Sequence, residues 1–193
     1  MDIFKNQIDH IIENGYFDFI RDRIVLGLSG GPDSVFTLLI LDSLRKLHGL
    51  EFEAVHVNYN LRGDQSLKDR EFCADLCRKH GVPLEIHDVH IEDNSSIQEK
   101  ARNIRFDFFR KFLKRKKFSR IALGHNLDDN IETVFHNIIR GCGLNGLKGL
   151  DVLSKDIVRP VLNISKRDIT DYLDRNSVEY RKDLSNNKNC YTR

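Results

Sequence analysis

Short apolar runs alternate with longer stretches of helical spacing along most of the 193-residue chain. Five runs have the length and composition of buried strands, and they cover residues 24–28, 52–57, 84–89, 121–124 and 157–158. Helical patterns lie over residues 35–47, 67–80, 96–117, 127–140 and 165–176. This alternation predicts an α/β fold: a doubly wound, Rossmann-like, mainly parallel five-stranded sheet with helices on both faces.

The composition indicates the class of protein. With 40% hydrophobic and 31% charged residues, the chain is typical of a globular protein with one domain over residues 1–193. No apolar run reaches the ~18 residues needed to span a bilayer, and the N-terminus lacks a signal-peptide core. None of the four cysteines forms a C-x-x-C pair, which favours buried thiols over a metal or redox site. These features predict a cytosolic protein with no membrane partner.

The turn after the first predicted strand reads Ser-Gly-Gly-Pro-Asp-Ser. Glycines there let backbone N–H groups close on phosphate oxygens, and the proline suits the first turn of a helix. The positive end of that helix faces the anion, and the serines add hydroxyl donors. The residues predicted to grip phosphate are Ser29, Gly30, Gly31, Pro32, Asp33 and Ser34.

Asp33 places a carboxylate inside this anion site. A carboxylate beside phosphates is repelled unless a cation bridges the two, so Asp33 predicts Mg²⁺. The alternative is a serine-glycine turn with an incidental aspartate. The loop lacks the Gly-Lys-Ser/Thr of P-loop NTPases and the G-x-G-x-x-G of dinucleotide folds, which separates it from both classes.

The same six residues resemble the S-G-G-x-D-S signature of the PP-loop, or N-type, ATP pyrophosphatases. The resemblance implies that residues 29–34 bind ATP. ATP would be cleaved between its α- and β-phosphates, so that AMP passes to the substrate and pyrophosphate leaves. Members include GMP synthetase, NAD synthetase, asparagine synthetase and several tRNA-modifying enzymes, so the loop leaves the member open.

Two further segments narrow the choice. Residues 56–62 resemble the H-V-N-H-G-L-R segment of the tRNA(Ile)-lysidine synthetases, with departures at the fourth and fifth positions. That resemblance implies that Val57 and Asn58 hold adenine and that Arg62 contacts phosphate or RNA.

Residues 101–106 are similar to the same family's A-R-x-x-R-Y segment. Arg102 and Arg105 lie one helical turn apart, so both could face one anion. The resemblance assigns Arg102 to catalysis and Arg105 to phosphate or RNA.

Residues 125–133 are similar to the family's H-H-x-D-D-x-x-E-T segment. At helical spacing Asp128 and Glu132 share one face, and Asp129 lies near Glu132. Three acids this close would repel each other without a cation, and Mg²⁺ or the ammonium group of a lysine substrate would relieve the repulsion. The alternative is a solvated acidic first turn, which the helix dipole favours by itself. Asn126 replaces the family's second histidine, so no role is carried over to it.

The resemblance assigns catalytic roles within this segment. Asp128 and Glu132 would receive the lysine. Asp129 would bind Mg²⁺ together with Asp33. His125 would contact phosphate or the base.

Later segments extend the resemblance. Residues 140–150 resemble R-G-x-G-x-x-G-L-x-G, and residues 159–162 resemble R-P-L-L. Residues 183–193 resemble the D-x-S-N…Y-x-R-N-x-I-R stretch that ends the family's catalytic domain. Arg140 and Arg159 are thereby assigned to phosphate or RNA.

The resemblance covers residues 22–193 and stops inside the last motif. We expect either a catalytic domain taken from a longer chain or a natural chain without the C-terminal tRNA-gripping domains of longer relatives. Residues 141–149, which include four glycines, are predicted to be the most mobile segment.

The stretch over residues 100–120 carries ten lysines and arginines against one acid, Asp107. A basic helix can bind along the phosphates of RNA. The net charge of +2 is too small to indicate RNA binding by itself. The interleaved phenylalanines are expected to pack in the core. The alternative is a solvated basic helix end.

By resemblance, the substrates are ATP, free L-lysine and tRNA(Ile) with a CAU anticodon. O2 of the wobble cytidine would be adenylated, and the ε-amine of lysine would then expel AMP to leave lysidine. One alternative is a tRNA 2-thiocytidine sulfur transferase, which uses the C-x-x-C pair that this chain lacks. Another is an ATP-binding module without turnover. The oligomeric state is open, with a homodimer among the alternatives.

Overall fold

The computed structural model describes residues 2–59, 64–89 and 97–181, apart from the side chains of Ile97, Gln98, Leu144 and Asn145. Three predicted features lie outside the described residues: Arg62, the first residue of the helical pattern over 96–117, and the motif over 183–193.

The described residues form six strands and six α-helices. The strands are β1 (Arg23–Gly27), β2 (Glu51–Asn58), β3 (Leu84–Asp88), β4 (Arg120–Ala122), β5 (Leu153–Ser154) and β6 (Ile157–Val158). The helices are α1 (Ile3–Glu13), α2 (Pro32–His48), α3 (Asp64–His80), α4 (Ile97–Lys116), α5 (Leu127–Ile139) and α6 (Lys166–Arg175). Every predicted strand and helix is confirmed in type, with ends that differ by up to three residues. Ser165, where the last helical pattern was predicted to begin, caps α6, because its side chain accepts a hydrogen bond from the N–H of Asp168.

The strand order is β3-β2-β1-β4-β6-β5, and every neighbouring pair is parallel except the antiparallel pair β5–β6. This confirms a mainly parallel sheet. The predicted count of five strands is wrong, because β5 has two residues and is too short to show an alternation. The chain places β2 and then β3 on one side of β1, and it places β4 on the opposite side of β1. The carboxyl ends of β1 and β4 therefore flank a topological switch point.

Alternate residues of the central strand β1 lie on opposite faces of the sheet and pack in two separate hydrophobic cores. Ile24 and Leu26 pack with α1, α2, α3 and α6 on one face, whereas Val25 packs with α4 on the other. Phe109 and Phe112 of α4 dominate the second core, so the phenylalanines of the basic helix serve packing as expected. Helices cover both faces, as the doubly wound prediction requires.

Helix α1 is the element that the sequence pattern did not predict. Asp2 caps it by accepting hydrogen bonds from the N–H groups of Phe4 (3.0 Å) and Lys5 (3.4 Å). Ile8 and Ile11 are buried against the first core. These apolar residues form a narrow stripe among polar and charged ones, so no apolar run marks the helix.

The cysteines of α3 confirm the predicted buried thiols. Cys73 and Cys77 are free and lie in the first core. Burial raises the pKa of both thiols, that of Cys77 to about 12, so both stay protonated at neutral pH.

No helix in the described part of the chain combines the length and the apolarity that crossing a bilayer requires.

The glycine-rich segment over 141–149 folds back on α5. It contains a 3₁₀ helix, Leu144–Lys148. Asn137 donates a hydrogen bond to the carbonyl of Gly146 (2.9 Å). At the end of the segment, the N–H of Leu150 donates to Asn130 Oδ1 (2.6 Å). The segment is thus attached to α5 at two points, and its mobility stays a prediction.

Candidate active site

Two loops meet at the switch point, one after β1 and one after β4. Gly124 lets them approach, because a Cβ at this position would lie 2.8 Å from the backbone oxygen of Asp33 and 3.0 Å from the nitrogen of Ser34. The first turn of α2 therefore packs directly against the end of β4. This contact fixes the phosphate loop relative to the acidic residues of α5.

The phosphate loop is closed by its own hydroxyl groups. Ser34 Oγ accepts from the N–H of Ser29 (3.2 Å), donates to the carbonyl of Gly31 (3.0 Å) and lies 3.1 Å from Ser29 Oγ. The N–H of Gly31 donates to Ser29 Oγ (3.3 Å). Gly31 is also the N-cap of α2, and no side chain caps that helix. The first N–H groups of α2 are therefore left for an anion, as the sequence predicts.

Asn126 joins the two carboxylates that were predicted to bind metal. Its Nδ2 donates to Asp33 Oδ1 (2.9 Å). Its backbone N–H donates to Asp129 Oδ2 (3.0 Å), while its Oδ1 accepts from the N–H of Asp129 (3.0 Å). This capping box opens α5 and aims Asn126 at Asp33.

The environment of Asp33 disfavours an isolated charge. Burial raises the pKa of Asp33, the hydrogen bond from Asn126 opposes that rise, and the nearby charge of Asp129 adds to it. A bound cation would stabilise the ionised form of both carboxylates. The pair therefore has the charge and the donor atoms that a metal ion requires.

The donor set fits Mg²⁺ that is shared with a phosphate ligand. No cluster of three or more His, Cys, Asp or Glu residues that could hold a metal occurs in the described ranges. One carboxylate oxygen of Asp33 and one of Asp129 accept hydrogen bonds from Asn126, so each carboxylate has a second oxygen that could bind the metal. Mg²⁺ in nucleotide sites is held by one or two carboxylates together with substrate phosphates. The residues present match that pattern.

Asp128 and Glu132 lie one turn apart on the exposed side of α5. Asp128 Oδ2 accepts a hydrogen bond from the backbone N–H of Lys166 (2.7 Å), so it also ties α5 to the start of α6. The charge of Lys166 lowers the pKa of Asp33, although burial outweighs it. Sequence reasoning missed Lys166, because the contact joins residues far apart in the chain.

His125 is held as a neutral ring beside the loop. Arg159 Nε donates to His125 Nδ1 (3.0 Å), which leaves the proton on Nε2. Burial and the charge of Arg159 lower the pKa of His125 to about 4. At neutral pH the ring is therefore a hydrogen-bond donor without a charge, suited to a phosphate or base oxygen.

We expect His125 to make the protein sensitive to mild acid. Because its pKa is lowered in the folded state, the unfolded chain takes up the proton first as pH falls below about 6.5. The contribution of His125 to stability is present above that pH and is lost towards pH 4. Urea unfolding at pH 7.5 and pH 5 should show a smaller acid loss for His125→Asn, whose Oδ1 can still accept from Arg159. The exposed His136→Asn serves as the control; equal acid losses in all three proteins would contradict the assignment.

A cavity of about 210 Å³ lies at the carboxyl ends of β1, β2 and β4. Its lining residues are Gly27, Leu28, Ser29, Asp33, Ser34, Val55, Val57, Tyr59, Arg105, Phe109, Leu123, Gly124 and His125. Arg105 Nε is buried there and has no hydrogen-bond partner among the described residues. Burial lowers the pKa of Arg105, and a buried guanidinium nitrogen without a hydrogen-bond partner is costly. A phosphate or other anionic ligand would satisfy it.

The end of β2 separates the two residues predicted to hold adenine. Val57 lines the cavity. Asn58 instead donates from Nδ2 to Asp88 (2.8 Å), and its carbonyl accepts from the N–H of Val89. Tyr59, which lines the cavity, donates to the carbonyl of Ala101 (2.9 Å) and joins β2 to α4.

The remaining predicted arginines occupy three different environments. Arg102 is exposed on α4 above the ring of Phe106, 5.0 Å from its centroid. Arg159 is buried and also donates to the carbonyl of Asp151 (2.6 Å). Arg140 caps the far end of α5, about 20 Å along the helix from the loop. The structure therefore brings Arg105 to the cavity and Arg159 to His125, and leaves Arg140 away from both.

Asn126 is the main site residue that sequence reasoning left without a role. Its local signal was visible, since Asn followed three residues later by Asp has the form of a capping box. Its bond to Asp33 was not visible, because 93 residues separate the two.

A glycine-serine phosphate loop at the switch point, with an aspartate joined through Asn126 to an acid of α5, defines a nucleotide-binding α/β domain. A family model described as a PP-loop domain matches residues 1–193. The chain belongs to the PP-loop family, and the use of ATP follows from that membership.

Curated relatives point to one branch of this family. The chain is 38% identical over 178 residues to a tRNA(Ile)-lysidine synthase of Clostridioides difficile, covering 89% of this chain and 38% of that protein. It is 37% identical over 170 residues to the tRNA(Ile)-lysidine synthase of Chlorobaculum tepidum, covering 86% of this chain and 51% of that protein. The chain thus spans about half or less of the length of these relatives.

Solved structures confirm the fold class. The U34-tRNA thiolase NcsA of Methanococcus maripaludis, solved with its [4Fe-4S] cluster, superposes with a TM-score of 0.73 at 21% identity. The match covers 93% of this chain and 65% of that one. The NH3-dependent NAD synthetase of Campylobacter jejuni superposes with a TM-score of 0.60 at 17% identity, covering 93% of this chain and 75% of that one. At these identities the likeness concerns the fold alone.

Proposed function

We propose that this PP-loop domain catalyses lysidine formation on tRNA(Ile). The observation that carries the chemistry is the Asp33–Asn126–Asp129 arrangement beside the phosphate loop. It combines an anion site with two carboxylates that need a cation. The substrate is inferred from the names of the curated relatives and from the ordered motifs along the chain.

The proposed reaction has two steps. O2 of the wobble cytidine attacks the α-phosphorus of ATP, and the bond to the β-phosphate oxygen breaks to release pyrophosphate. The uncharged ε-amine of lysine then attacks C2, the C2–O2 bond breaks, and AMP leaves with the former O2. The amine nitrogen loses its protons to solvent or a base, and lysidine remains.

The residues divide this work by position. The loop over 29–34 holds the pyrophosphate portion of ATP, and Arg105 supplies a buried positive charge at the cavity wall. Val57 lies where adenine would contact the end of β2. His125 offers a neutral N–H to an oxygen of the substrate.

Two acidic groups receive cations under this proposal. Asp33 and Asp129 would hold Mg²⁺, which supplies charge neutralisation between the carboxylates and the phosphates. Asp128 and Glu132 are exposed at the rim and would bind the ammonium groups of free L-lysine. Asp128 keeps one oxygen for this contact, since the other accepts from Lys166.

The remaining arginines would stabilise phosphate or RNA charge. Arg102 keeps its predicted catalytic role, since its charge adds to burial in lowering the pKa of both His125 and Arg105. Arg140 is exposed and would face RNA, whereas Arg159 acts on the substrate through His125. Arg62 is assigned to phosphate or RNA from the sequence alone. The CAU anticodon as the recognised feature, a homodimer and a cytosolic location remain predictions.

The sulfur-transferase alternative is disfavoured by the cysteines. Such enzymes need a pair of accessible thiols for sulfur or a cluster, but Cys73 and Cys77, the two free cysteines that lie close together in the described ranges, are buried and protonated. The sequence also contains no C-x-x-C pair. An ATP-binding module without turnover would bind Mg–ATP through the same carboxylates but would release no pyrophosphate.

Pyrophosphate release tests the proposal directly. The chain is incubated with Mg²⁺, ATP and a tRNA(Ile) transcript of CAU anticodon, with and without lysine, and released pyrophosphate and AMP are quantified. We expect pyrophosphate release that depends on the tRNA and AMP release that depends on lysine. The elongator methionine tRNA, which has the same anticodon, is the control substrate. Release that ignores tRNA and lysine would contradict the proposal.

The structure sharpens the predicted RNA contact of the basic helix α4. Arg115 is paired with Glu85 and Lys116 with Glu53. Lys114 and Lys117 are exposed and make no ion pair within the described part of the chain. Within residues 114–117 these two lysines are therefore the ones left to contact phosphates.

We expect the double variant Lys114→Ala/Lys117→Ala to bind tRNA more weakly. Its salt slope, d log K/d log [salt], should flatten by roughly one to two, one for each lost phosphate contact. Lys5→Ala/Arg175→Ala removes the same charge from α1 and α6 on the opposite sheet face and should bind as wild type. Filter binding from 50 to 300 mM salt makes the comparison. Unchanged slopes in both variants would rule out α4 as an RNA contact.

A further inference from the structure

The segment after α6 returns to the carboxyl edge of the sheet and crosses the phosphate loop. Val178 begins the return, with its N–H bonded to the carbonyl of Leu173 (2.9 Å). At Arg181 the backbone N–H donates to the carbonyl of Gly30 (2.8 Å). The Arg181 guanidinium also donates from Nε to Asp69 Oδ1 of α3 (2.6 Å). One residue thus connects α3 to the middle of the phosphate loop.

The bond to Gly30 fixes the orientation of the next peptide group. In a trans peptide unit the C=O and the following N–H point in opposite directions. Because the Gly30 carbonyl is directed at Arg181, the Gly31 N–H is directed away from Arg181. It points at Ser29 Oγ, inside the loop, at a length of 3.3 Å that a phosphate oxygen could improve on.

Without this bond the peptide group between Gly30 and Gly31 would have considerable freedom. Two consecutive glycines allow many backbone angles at little cost. Gly30 has a φ of +86°. Its Cα is enclosed by Arg181 Cγ, Cys73 Sγ and the ring of Phe72, each 3.3 Å from where a Cβ would lie. Arg181 therefore both packs against Gly30 and hydrogen-bonds to it, and both contacts restrict this flexible residue.

We propose that Arg181 and Asp69 are positioning residues that hold the phosphate loop open for the pyrophosphate portion of ATP. Asp69 fixes the Arg181 side chain, and Arg181 keeps the Gly31 N–H turned into the loop. The inference rests on the proposed role of residues 29–34 as the pyrophosphate site, but it is independent of which substrate receives AMP. Neither residue lines the cavity beside the loop.

Inorganic pyrophosphate and adenosine are the probes that separate positioning from folding. Arg181→Ala removes the side-chain anchor, and we expect pyrophosphate and Mg–ATP to bind roughly tenfold more weakly while adenosine binds as before. Asp69→Asn should give a similar loss, and the double variant should lose little more, because the two residues act as one unit. Arg181→Lys keeps a cation for Asp69 and should restore most of the affinity.

A second ion pair on α3 provides the matched control. Arg78 and Asp75 also form an arginine–aspartate pair, but on the exposed side of the helix. Asp75→Asn should leave all three affinities unchanged. Calorimetric titration of each variant, together with its thermal midpoint, gives the comparison.

Each outcome decides the inference. Unchanged pyrophosphate affinity in Arg181→Ala and Asp69→Asn overturns it, and so does a parallel loss for pyrophosphate and adenosine with a lowered midpoint. A wild-type chain that binds no pyrophosphate also overturns it. If Arg181→Ala selectively weakens pyrophosphate binding but the wild type releases no pyrophosphate with tRNA and lysine, the inference holds and the proposed function fails.

Discussion

Replacement of Asp33 by asparagine is expected to reduce Mg²⁺-dependent pyrophosphate release by at least about 100-fold. The substitution keeps the shape of the side chain, and its amide oxygen can still accept from Asn126 Nδ2. The negative charge is lost, and the oxygen that was left for the metal is replaced by an NH2 group. Any effect therefore reports the role of the Asp33 carboxylate as a charge and as a metal ligand.

Whether Asp33→Asn strengthens or weakens ATP binding should depend on the presence of Mg²⁺. Without Mg²⁺, Asp33 repels the phosphates, so Asp33→Asn is expected to bind ATP as tightly as wild type or more tightly. With Mg²⁺, the carboxylate attracts the nucleotide through the cation, so the variant should bind more weakly. Titrations of ATP in EDTA and in excess Mg²⁺ measure both arms.

The exposed Asp9→Asn, which makes the same chemical change on α1, should match wild type in both buffers. If Asp33→Asn retained the wild-type response to Mg²⁺, the metal assignment would be wrong. Exchange of ATP and pyrophosphate that needs tRNA but tolerates Asp33→Ala would refute the whole scheme.

The Gly124→Ala variant should have the second-largest effect. The new methyl carbon would lie 2.8 Å from the Asp33 oxygen and 2.9 Å from its carbonyl carbon. These neighbours are backbone atoms at the start of α2, so no flexible side chain can move aside. We expect a stability loss of about 1–3 kcal/mol and a longer Asp33–Asn126 contact. ATP affinity in Mg²⁺ should fall at least tenfold, in the range that a 1.4 kcal/mol loss produces.

Gly143→Ala is the matched control for this prediction. Gly143 has a φ of −71°, and a Cβ there would have no heavy atom within 4 Å. Denaturant unfolding and ATP titration should therefore show little change for this variant. Wild-type ATP affinity in Gly124→Ala would mean that the close approach of α2 and β4 is dispensable.

Much of the fold could be predicted because its signals are local. The strand–turn–helix at 24–47 combines an apolar run, two glycines and a proline within a few residues, and each element formed as expected. The antiparallel strand Leu153–Ser154 could not be predicted, because two residues carry no periodicity. Helix α1 shows the opposite case: its apolar stripe of Phe4, Ile8 and Ile11 has helical spacing, but polar residues lie between its members, so no continuous apolar run marks it.

The site was predictable in its residue types and not in its contacts. The motifs predicted Asp33 and Asp129. The side-chain amide that joins them belongs to Asn126, where this chain departs from the family's histidine. Asn126 acquires its role from a bond to Asp33 that only the parallel pairing of β1 and β4 creates. Arg105 was predicted to contact phosphate, whereas its buried and unpaired Nε depends on how α4 packs across the sheet.

The position of the site between β1 and β4 also bears on the order of folding. A partly folded chain with β1, β2 and β3 paired would contain the phosphate loop but not Asn126 or Asp129, which follow β4. Nucleotide with metal would therefore bind tightly only after β4 joins the sheet. At a hundredfold excess over its dissociation constant, such a ligand stabilises the complete fold by about 2.7 kcal/mol. ATP with metal would then act as a selective stabiliser of molecules in which β4 covers the edge of β1, an edge that is open to pairing with other chains until β4 is in place.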